Sequence, residues 1–69
     1  MKVFVTGVGG QLGYDVMNEL HQRGIESIGS DVLPEVTSID APYYSLDITD
    51  GVAVSAMLEK LKPDAVIHC

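Results

Sequence analysis

Hydrophobic and polar residues are arranged along this chain in blocks that predict four strands and two helices. Four short strand-like runs carry apolar residues and are bounded by glycine, proline or charged residues; they are Lys2–Thr6, 25–30, 43–46 and 64–69. Short apolar runs of this kind are typical of strands that are buried on both faces. The segment 32–42 contains two prolines and mixed charge, so we expect an irregular connection there.

Two stretches between these runs show the periodicity of amphipathic helices. The first covers residues 11–23, and Gly24 follows it as a suitable C-terminal cap. The second begins at a capping residue, Thr49 or Asp50, and ends before Pro63, which cannot continue a helix. In each stretch the apolar residues recur every four positions. The stripe of the first stretch is Leu12, Val16 and Leu20, and that of the second is Ala53, Met57 and Leu61.

Strands that alternate with helices at this spacing are parallel and are joined by right-handed crossovers. The chain is therefore predicted to be an α/β protein with a Rossmann-type parallel sheet, of which it forms the N-terminal half, in the strand order 3-2-1-4. Both faces of a parallel sheet must be covered, and two helices cannot easily cover four strands. We therefore interpret residues 1–69 as the N-terminal part of one domain and expect further parts to follow.

Composition and charge exclude several classes of protein. The 69 residues are 46% hydrophobic and carry 4 Lys and Arg against 10 Asp and Glu, a formal net charge of −6. Binding to nucleic acid or to an anionic membrane surface needs clusters of basic residues, so neither partner is expected. Cys69 is the only cysteine, which rules out an internal disulfide or a cysteine-based zinc site. The first apolar run is too short for a signal peptide, and we expect a cytoplasmic protein without a metal site.

A glycine-rich loop connects the first strand to the first helix, and its glycines are spaced G-x-x-G-x-x-G. We expect Gly7 to permit a tight turn, Gly10 to leave room for a pyrophosphate, and Gly13 to let the helix approach the sheet. The free N–H groups at the start of the helix can then bind phosphate, assisted by the helix dipole. The alternative is a strand-to-helix turn that binds nothing. No lysine occurs between Lys2 and Lys60, which excludes the phosphate loop of nucleotide triphosphatases.

An acidic residue follows this loop at the distance expected for a ribose-binding carboxylate. Asp31 ends the second strand run, 18 positions after Gly13, where it can accept hydrogen bonds from adenosine ribose hydroxyls. A solvated loop acid is the alternative. The segment 31–36 contains no lysine or arginine, and Glu35 adds negative charge, so a 2′-phosphate would be repelled. We therefore expect an NAD(P)-binding Rossmann domain in which NAD(H) is favoured over NADP(H).

The sequence resembles the extended short-chain dehydrogenase/reductase family over nearly its whole length. Three segments together resemble the dTDP-4-dehydrorhamnose reductases of that family, namely VTGVGGQLG at 5–13, SLDITD at 45–50 and KPDAVIHC at 62–69. The resemblance implies that Gly10, Gln11 and Leu12 line the cofactor. It also implies that Asp47 accepts a hydrogen bond from the adenine amine and that Ile48 packs on the adenine ring. On the residues alone, Asp47 could instead cap the second helix, and Ile48 could lie in the core.

The function implied by the resemblance is reduction of a nucleotide-linked 4-keto-6-deoxysugar with NAD(P)H. The family's catalytic tyrosine is followed four positions later by lysine, and this pattern is absent after Tyr14, Tyr43 and Tyr44. We therefore assign no catalytic residue here, and we expect these residues alone to be inactive and to bind dinucleotide weakly, if at all. We expect the nucleotide-sugar substrate to bind elsewhere in a full-length protein. Two alternatives stay open: another sugar-nucleotide epimerase or dehydratase of the family, or a non-catalytic regulatory module of the same fold. The sequence does not indicate an oligomeric state.

Overall fold

The computed structural model describes residues 1–69 and contains four strands and two helices in the predicted order. The elements are β1 (Lys2–Thr6), α1 (Gln11–Gln22), β2 (Glu26–Asp31), β3 (Tyr43–Ser45), α2 (Gly51–Leu61) and β4 (Ala65–His68). All neighbouring strands are parallel, and their order in the sheet is β3-β2-β1-β4. The predicted α/β fold and the predicted strand order are therefore confirmed.

β1 lies at the centre of the sheet because its residues are apolar on both faces. Val3, Phe4 and Val5 are each at most 3% exposed. Val5 pairs with Gly29 of β2 on one side and with Ile67 of β4 on the other. This register brings the carboxyl ends of β1, β2 and β4 together at one edge of the sheet, the edge at which ligands bind in open α/β sheets.

One face of the sheet is covered by α1 together with the irregular connection 32–42. The buried cluster on this face comprises Val3, Val5, Val8, Met17 and Leu20. Ile39 of the connection packs beside this cluster. A Cβ atom at Gly29 of β2 would lie only 2.6 Å from the Cδ1 atom of Ile39, so the glycine is what allows this approach. The connection was predicted to be irregular, but the sequence pattern did not indicate that it covers the sheet.

The buried face of α1 is displaced by one residue from the predicted stripe in its first turn. Leu12 is 65% exposed, whereas Gly13, Met17 and Leu20 are buried. Gly13 lies against the preceding loop so closely that a Cβ atom there would overlap the carbonyl oxygen of Gly7. The prediction that Gly13 lets the helix approach the sheet therefore needs a correction, because the close contact is with the loop that follows β1.

The opposite face is covered by α2. Its buried cluster comprises Phe4, Ile28, Leu46 and Leu61, with Ala53, Val54, Met57 and Leu58 packed around it. The N-terminal cap of α2 is Asp50, whose side chain accepts a hydrogen bond from the N–H of Ala53. At the other end, the ammonium group of Lys2 donates to the carbonyl oxygen of Leu61 at 3.0 Å. Neither helix is long and apolar enough to cross a membrane.

Gly24 terminates α1 as the sequence predicts. Its φ of +68° lies in the left-handed region, and its N–H donates to the carbonyl oxygen of His21. Nothing lies within 4 Å of a Cβ atom built at this position, so a substitution acts on backbone conformation alone. We expect Gly24→Ala to lower the free energy of unfolding by about 1 kcal/mol in urea denaturation. Gly24→Asn is the control, because asparagine tolerates this conformation. An equal loss in both variants would contradict the explanation.

Candidate functional site

A cleft of about 180 Å³ opens at the carboxyl ends of β1, β2 and β4. We call it the main cleft, and its lining residues are Thr6, Gly7, Ser30, Asp31, Val32, Leu46, Ile48, His68 and Cys69. Three of the predicted cofactor-binding residues are among them, although they come from three separate segments of the chain. The tertiary structure therefore brings Gly7, Asp31 and Ile48 to one place.

Gly7 and Gly10 lie at the two ends of the turn that follows β1, and the structure constrains them differently. Gly7 has a φ of +73°, and a Cβ atom there would lie 2.6 Å from the carbonyl oxygen of Cys69. Gly10 has ordinary extended backbone angles, and a Cβ atom there would meet only the carbonyl oxygen of Gly7, at 3.7 Å. The fold thus requires glycine at position 7. It does not require glycine at position 10, where the space beside the backbone is open to a ligand.

The start of α1 presents backbone donors that have no partner within the chain. These are the N–H groups of Gln11, Leu12 and Gly13, and the capping residue Gly10 has no side chain that could accept from them. A helix terminus with free N–H groups carries the positive end of the helix dipole and favours an anion. Because the donors are backbone groups, this site can bind phosphate even in a chain of formal net charge −6.

A second recess of about 370 Å³ adjoins this helix terminus and is lined by Gly9, Gly10, Gln11, Tyr14 and Ser38. The structure thus places two of the predicted loop residues, Gly10 and Gln11, in this recess. The side-chain Nε2 atom of Gln11 donates to the carboxylate of Asp15 at 3.0 Å, which holds the Gln11 side chain against the helix surface. Leu12 lines neither cavity, and its exposed side chain lies at the first turn of α1.

Asp31 is held in place by backbone donors. Its Oδ2 atom accepts from the N–H of Gly9 at 2.9 Å, and its Oδ1 atom accepts from the N–H of Val32 at 2.7 Å. Each carboxylate oxygen retains a further lone pair that a ribose hydroxyl could use. The alternative of a freely solvated loop acid does not describe this arrangement. Gly9 is required for it, because a Cβ atom there would lie 2.9 Å from Oδ2. Sequence reasoning overlooked Gly9, although its place within the glycine loop was a usable signal.

Asp47 and Ile48 follow β3 and are both exposed. Ile48 is 47% exposed and lines the main cleft, so the alternative that places it in the core is wrong. The Oδ1 atom of Asp47 accepts from the hydroxyl and the N–H of Thr49 at 2.7 and 2.9 Å, while its Oδ2 atom has no partner. These two hydrogen bonds hold the pKa of Asp47 below its ordinary value. Asp47 is therefore an ionised acceptor at neutral pH, and the cap of α2 is Asp50 instead.

A hydrogen bond between β1 and β4 also lies at the main cleft. The hydroxyl of Thr6 and the Nδ1 atom of His68 are 2.7 Å apart, because the register pairs these two residues on adjacent strands. Sequence reasoning did not connect them, since 62 positions separate them along the chain. Only the register of the parallel pair, which depends on the whole crossover, brings them together.

The cleft and the recess contain no lysine or arginine. Lys2 begins β1, and Arg23 and Lys62 cap the C-terminal ends of the two helices, so these three cations lie at the opposite end of the sheet. The fourth cation, Lys60, lies 4.9 Å from the centre of a tyrosine ring of β3. A phosphate group placed beside Asp31 would therefore meet negative charge with no neutralising side chain.

Comparison with known proteins places this geometry in a family. The family model described as RmlD substrate binding domain matches residues 1–69. A probable low-salt glycan biosynthesis reductase, Agl14 of Haloferax volcanii, is 39% identical over 69 residues, which are 100% of this chain and 23% of that protein. A formate-dependent phosphoribosylglycinamide formyltransferase of Herminiimonas arsenicoxydans is 37% identical over 68 residues, which are 96% of this chain and 16% of that protein.

Solved structures share the fold as well. The UDP-glucose 4-epimerase of Thermus thermophilus, crystallised with NAD, superposes with a TM-score of 0.88 at 28% identity, covering 99% of this chain and 23% of that one. The chain thus spans less than a quarter of the length of each of these proteins. It has the Rossmann-type α/β fold of the extended short-chain dehydrogenases and reductases, and it belongs to the RmlD substrate binding domain family.

Proposed function

We propose that this chain is the dinucleotide-binding segment of an NAD(P)H-dependent reductase that acts on a nucleotide-linked 4-keto-6-deoxysugar, similar to dTDP-4-dehydrorhamnose reductase. The observation that carries the proposal is the helix terminus at Gln11, Leu12 and Gly13, whose three N–H groups have no partner within the chain and which follows Gly10, where the space beside the backbone is open. The family match and the identity to the Haloferax reductase support a reductase rather than an epimerase, because the epimerase structure is less similar in sequence.

The residues present fit an adenine dinucleotide. The unpaired N–H groups of Gln11 and Leu12 suit the pyrophosphate, and the open space at Gly10 lets it approach the backbone. The carboxylate of Asp31 offers acceptors to the adenosine ribose. Beyond the strand ends, Ile48 offers an exposed apolar side chain for the adenine ring. The ionised carboxylate of Asp47, the preceding residue, offers an acceptor for the adenine amine.

The chemistry of the reaction would come from the bound nicotinamide, which supplies a hydride to the carbonyl carbon of the sugar. This chain's own part is to bind and orient the dinucleotide at the carboxyl edge of the sheet. Tyr14, Tyr43 and Tyr44 lack a lysine four positions later, so we assign none of them to proton transfer. We place the catalytic groups, and the site that binds the nucleotide-sugar substrate, in the remainder of such an enzyme.

Asp31 is expected to select NADH over NADPH, and its charge can be removed with little change of shape. We expect Asp31→Asn to lower the affinity for NADH about tenfold, because a hydrogen bond to a charged group is lost, and to reduce the preference for NADH over NADPH. Affinities are measured by titrating each cofactor while recording amide chemical shifts, which detects weak binding. Glu35→Gln is the control, because it removes the same charge from an exposed residue of the same segment. A tenfold preference of the unmodified protein for NADPH would overturn the assignment.

A further inference from the structure

The loop that carries Asp31 is attached to β3 by side-chain hydroxyls. The hydroxyl of Tyr43 lies 3.1 Å from the carbonyl oxygen of Asp31 and is also hydrogen-bonded to that of Leu33. The hydroxyl of Ser45 lies 3.5 Å from the carbonyl oxygen of Val32, which falls between them. Two hydroxyls of the next strand thus contact three consecutive carbonyl groups at the end of β2, and the single proton of the Tyr43 hydroxyl is shared between two of them. We call Tyr43 and Ser45 the β3 clamp.

Few other contacts hold this stretch. Backbone pairing between β2 and β3 ends where the N–H of Leu46 donates to the carbonyl oxygen of Asp31 at 2.8 Å. The next two side chains, Val32 and Leu33, are 61% and 46% exposed, so burial contributes little to their placement. The hydroxyl bonds of the β3 clamp are therefore the main fixed attachment of the chain immediately after Asp31.

One peptide unit links the clamp to the carboxylate. In the peptide between residues 31 and 32, the C=O accepts from the hydroxyl of Tyr43 and the N–H donates to the Oδ1 atom of Asp31. Because a peptide unit is planar and rigid, fixing the direction of its C=O also fixes the direction of its N–H. The same C=O accepts from the N–H of Leu46 at 2.8 Å, and the hydroxyl of Tyr43 is the second donor to it, so Tyr43 helps to hold the direction of the N–H that orients the carboxylate.

The hydroxyl of Tyr43 remains a donor over the physiological pH range. Burial raises its pKa above the ordinary value of 10.0, and the negative charge of Asp31 acts in the same direction, against a smaller lowering by the hydrogen bond to the Asp31 carbonyl. Tyr44, the next residue, makes no hydrogen bond through its hydroxyl, and its ring packs against the α2 cluster on the opposite face of the sheet. The two adjacent tyrosines therefore form a natural pair of test and control positions.

We propose that Tyr43, assisted by Ser45, is a positioning residue that orients the Asp31 carboxylate and thereby helps to determine the preference for NADH over NADPH. This inference rests on the proposed function, in which Asp31 binds the adenosine ribose. The clamp itself can be examined without cofactor, because the N–H of Gly9 donates to Asp31 and reports where the carboxylate lies.

The experiment compares Tyr43→Phe with Tyr44→Phe in the whole chain. In the free protein, Tyr43→Phe is expected to speed hydrogen exchange of the Gly9 amide several-fold and to change its chemical shift, whereas Tyr44→Phe leaves both unchanged. In titrations with NADH and NADPH, Tyr43→Phe is expected to lower NADH affinity about fivefold, the factor for one ordinary hydrogen bond, and to leave NADPH affinity nearly unchanged. If Tyr43 had only a structural role, Tyr43→Phe would lower the affinities for NADH and NADPH equally.

Each outcome decides between the two proposals. An unchanged Gly9 amide in Tyr43→Phe overturns the role of the β3 clamp, even when the unmodified protein binds NADH. Absence of binding by a full-length protein that contains this chain overturns the proposed function, and the Gly9 amide then still reports on the clamp. Ser45→Ala provides a second variant should Tyr43→Phe not fold, and we expect a smaller change in the same direction because its hydrogen bond is longer. No change at Gly9 in Ser45→Ala would then overturn the inference.

Discussion

Replacing Gly13 by alanine is expected to destabilise this protein more than any other substitution in the glycine loop. A Cβ atom at Gly13 would overlap the carbonyl oxygen of Gly7 and lie 2.7 Å from the Cα atom of Val8. Both neighbours are backbone, and Val8 is fully buried, so α1 must move away from the loop. We expect a loss of about 3 kcal/mol in the free energy of unfolding, because overpacking of this kind exceeds the roughly 1 kcal/mol that alanine contributes to helix formation.

That loss is large for a chain of this length. At about 0.05–0.15 kcal/mol per residue, 69 residues have a total stability of about 3–10 kcal/mol, so Gly13→Ala is expected to unfold at much lower urea concentration or to be unfolded without urea. Gly10→Ala is the matched control, because the same atom is added three positions earlier, where its closest contact would be 3.7 Å. Equal unfolding midpoints for the two variants would show that the close packing of α1 on the loop is not what requires glycine at position 13.

Replacing Gly10 by valine is expected to abolish most of the dinucleotide affinity while the fold persists. The backbone at Gly10 has φ −92° and ψ 170°, angles that valine adopts readily, and the space beside it is open. The added side chain would occupy the approach to the N–H groups of Gln11 and Leu12. We expect NADH affinity to fall about 100-fold, because two hydrogen bonds to a charged pyrophosphate are obstructed. Titration followed through the Gln11 and Leu12 amide shifts measures the effect.

Gly51→Val is the matched control for this prediction. Gly51 is the first residue of α2, and nothing lies within 4 Å of a Cβ atom built there, so the same substitution is made at the start of the other helix. It is expected to change stability slightly and to leave NADH affinity unaltered. NADH affinity that is the same in Gly10→Val and in the unmodified protein would contradict the assignment of the phosphate site to α1, and with it the proposed function.

Local patterns along the chain were sufficient to predict most of the architecture. The β-branched runs, the four-residue periodicity and Gly24 indicated the strands, the helices and the end of α1, because each of these signals acts over fewer than about five neighbouring residues. The strand order followed from the handedness of crossovers, which applies to parallel sheets in general. Leu12 was misplaced within the apolar stripe because the pattern cannot show that a loop, rather than the sheet, faces the first turn of α1.

Sequence patterns alone were enough to assign the class of fold and to locate the glycine-rich loop, since glycine spacing and hydrophobic periodicity act locally. Which glycines the fold needs, and how Gly9 and Tyr43 hold Asp31, could be seen only in the three-dimensional arrangement. The same holds for the absence of lysine and arginine from the lining of the cleft. The physical reason is that these features depend on the distances between segments far apart in the chain. Those distances are set by strand register and by the packing of the connection 32–42, neither of which any short stretch of sequence encodes.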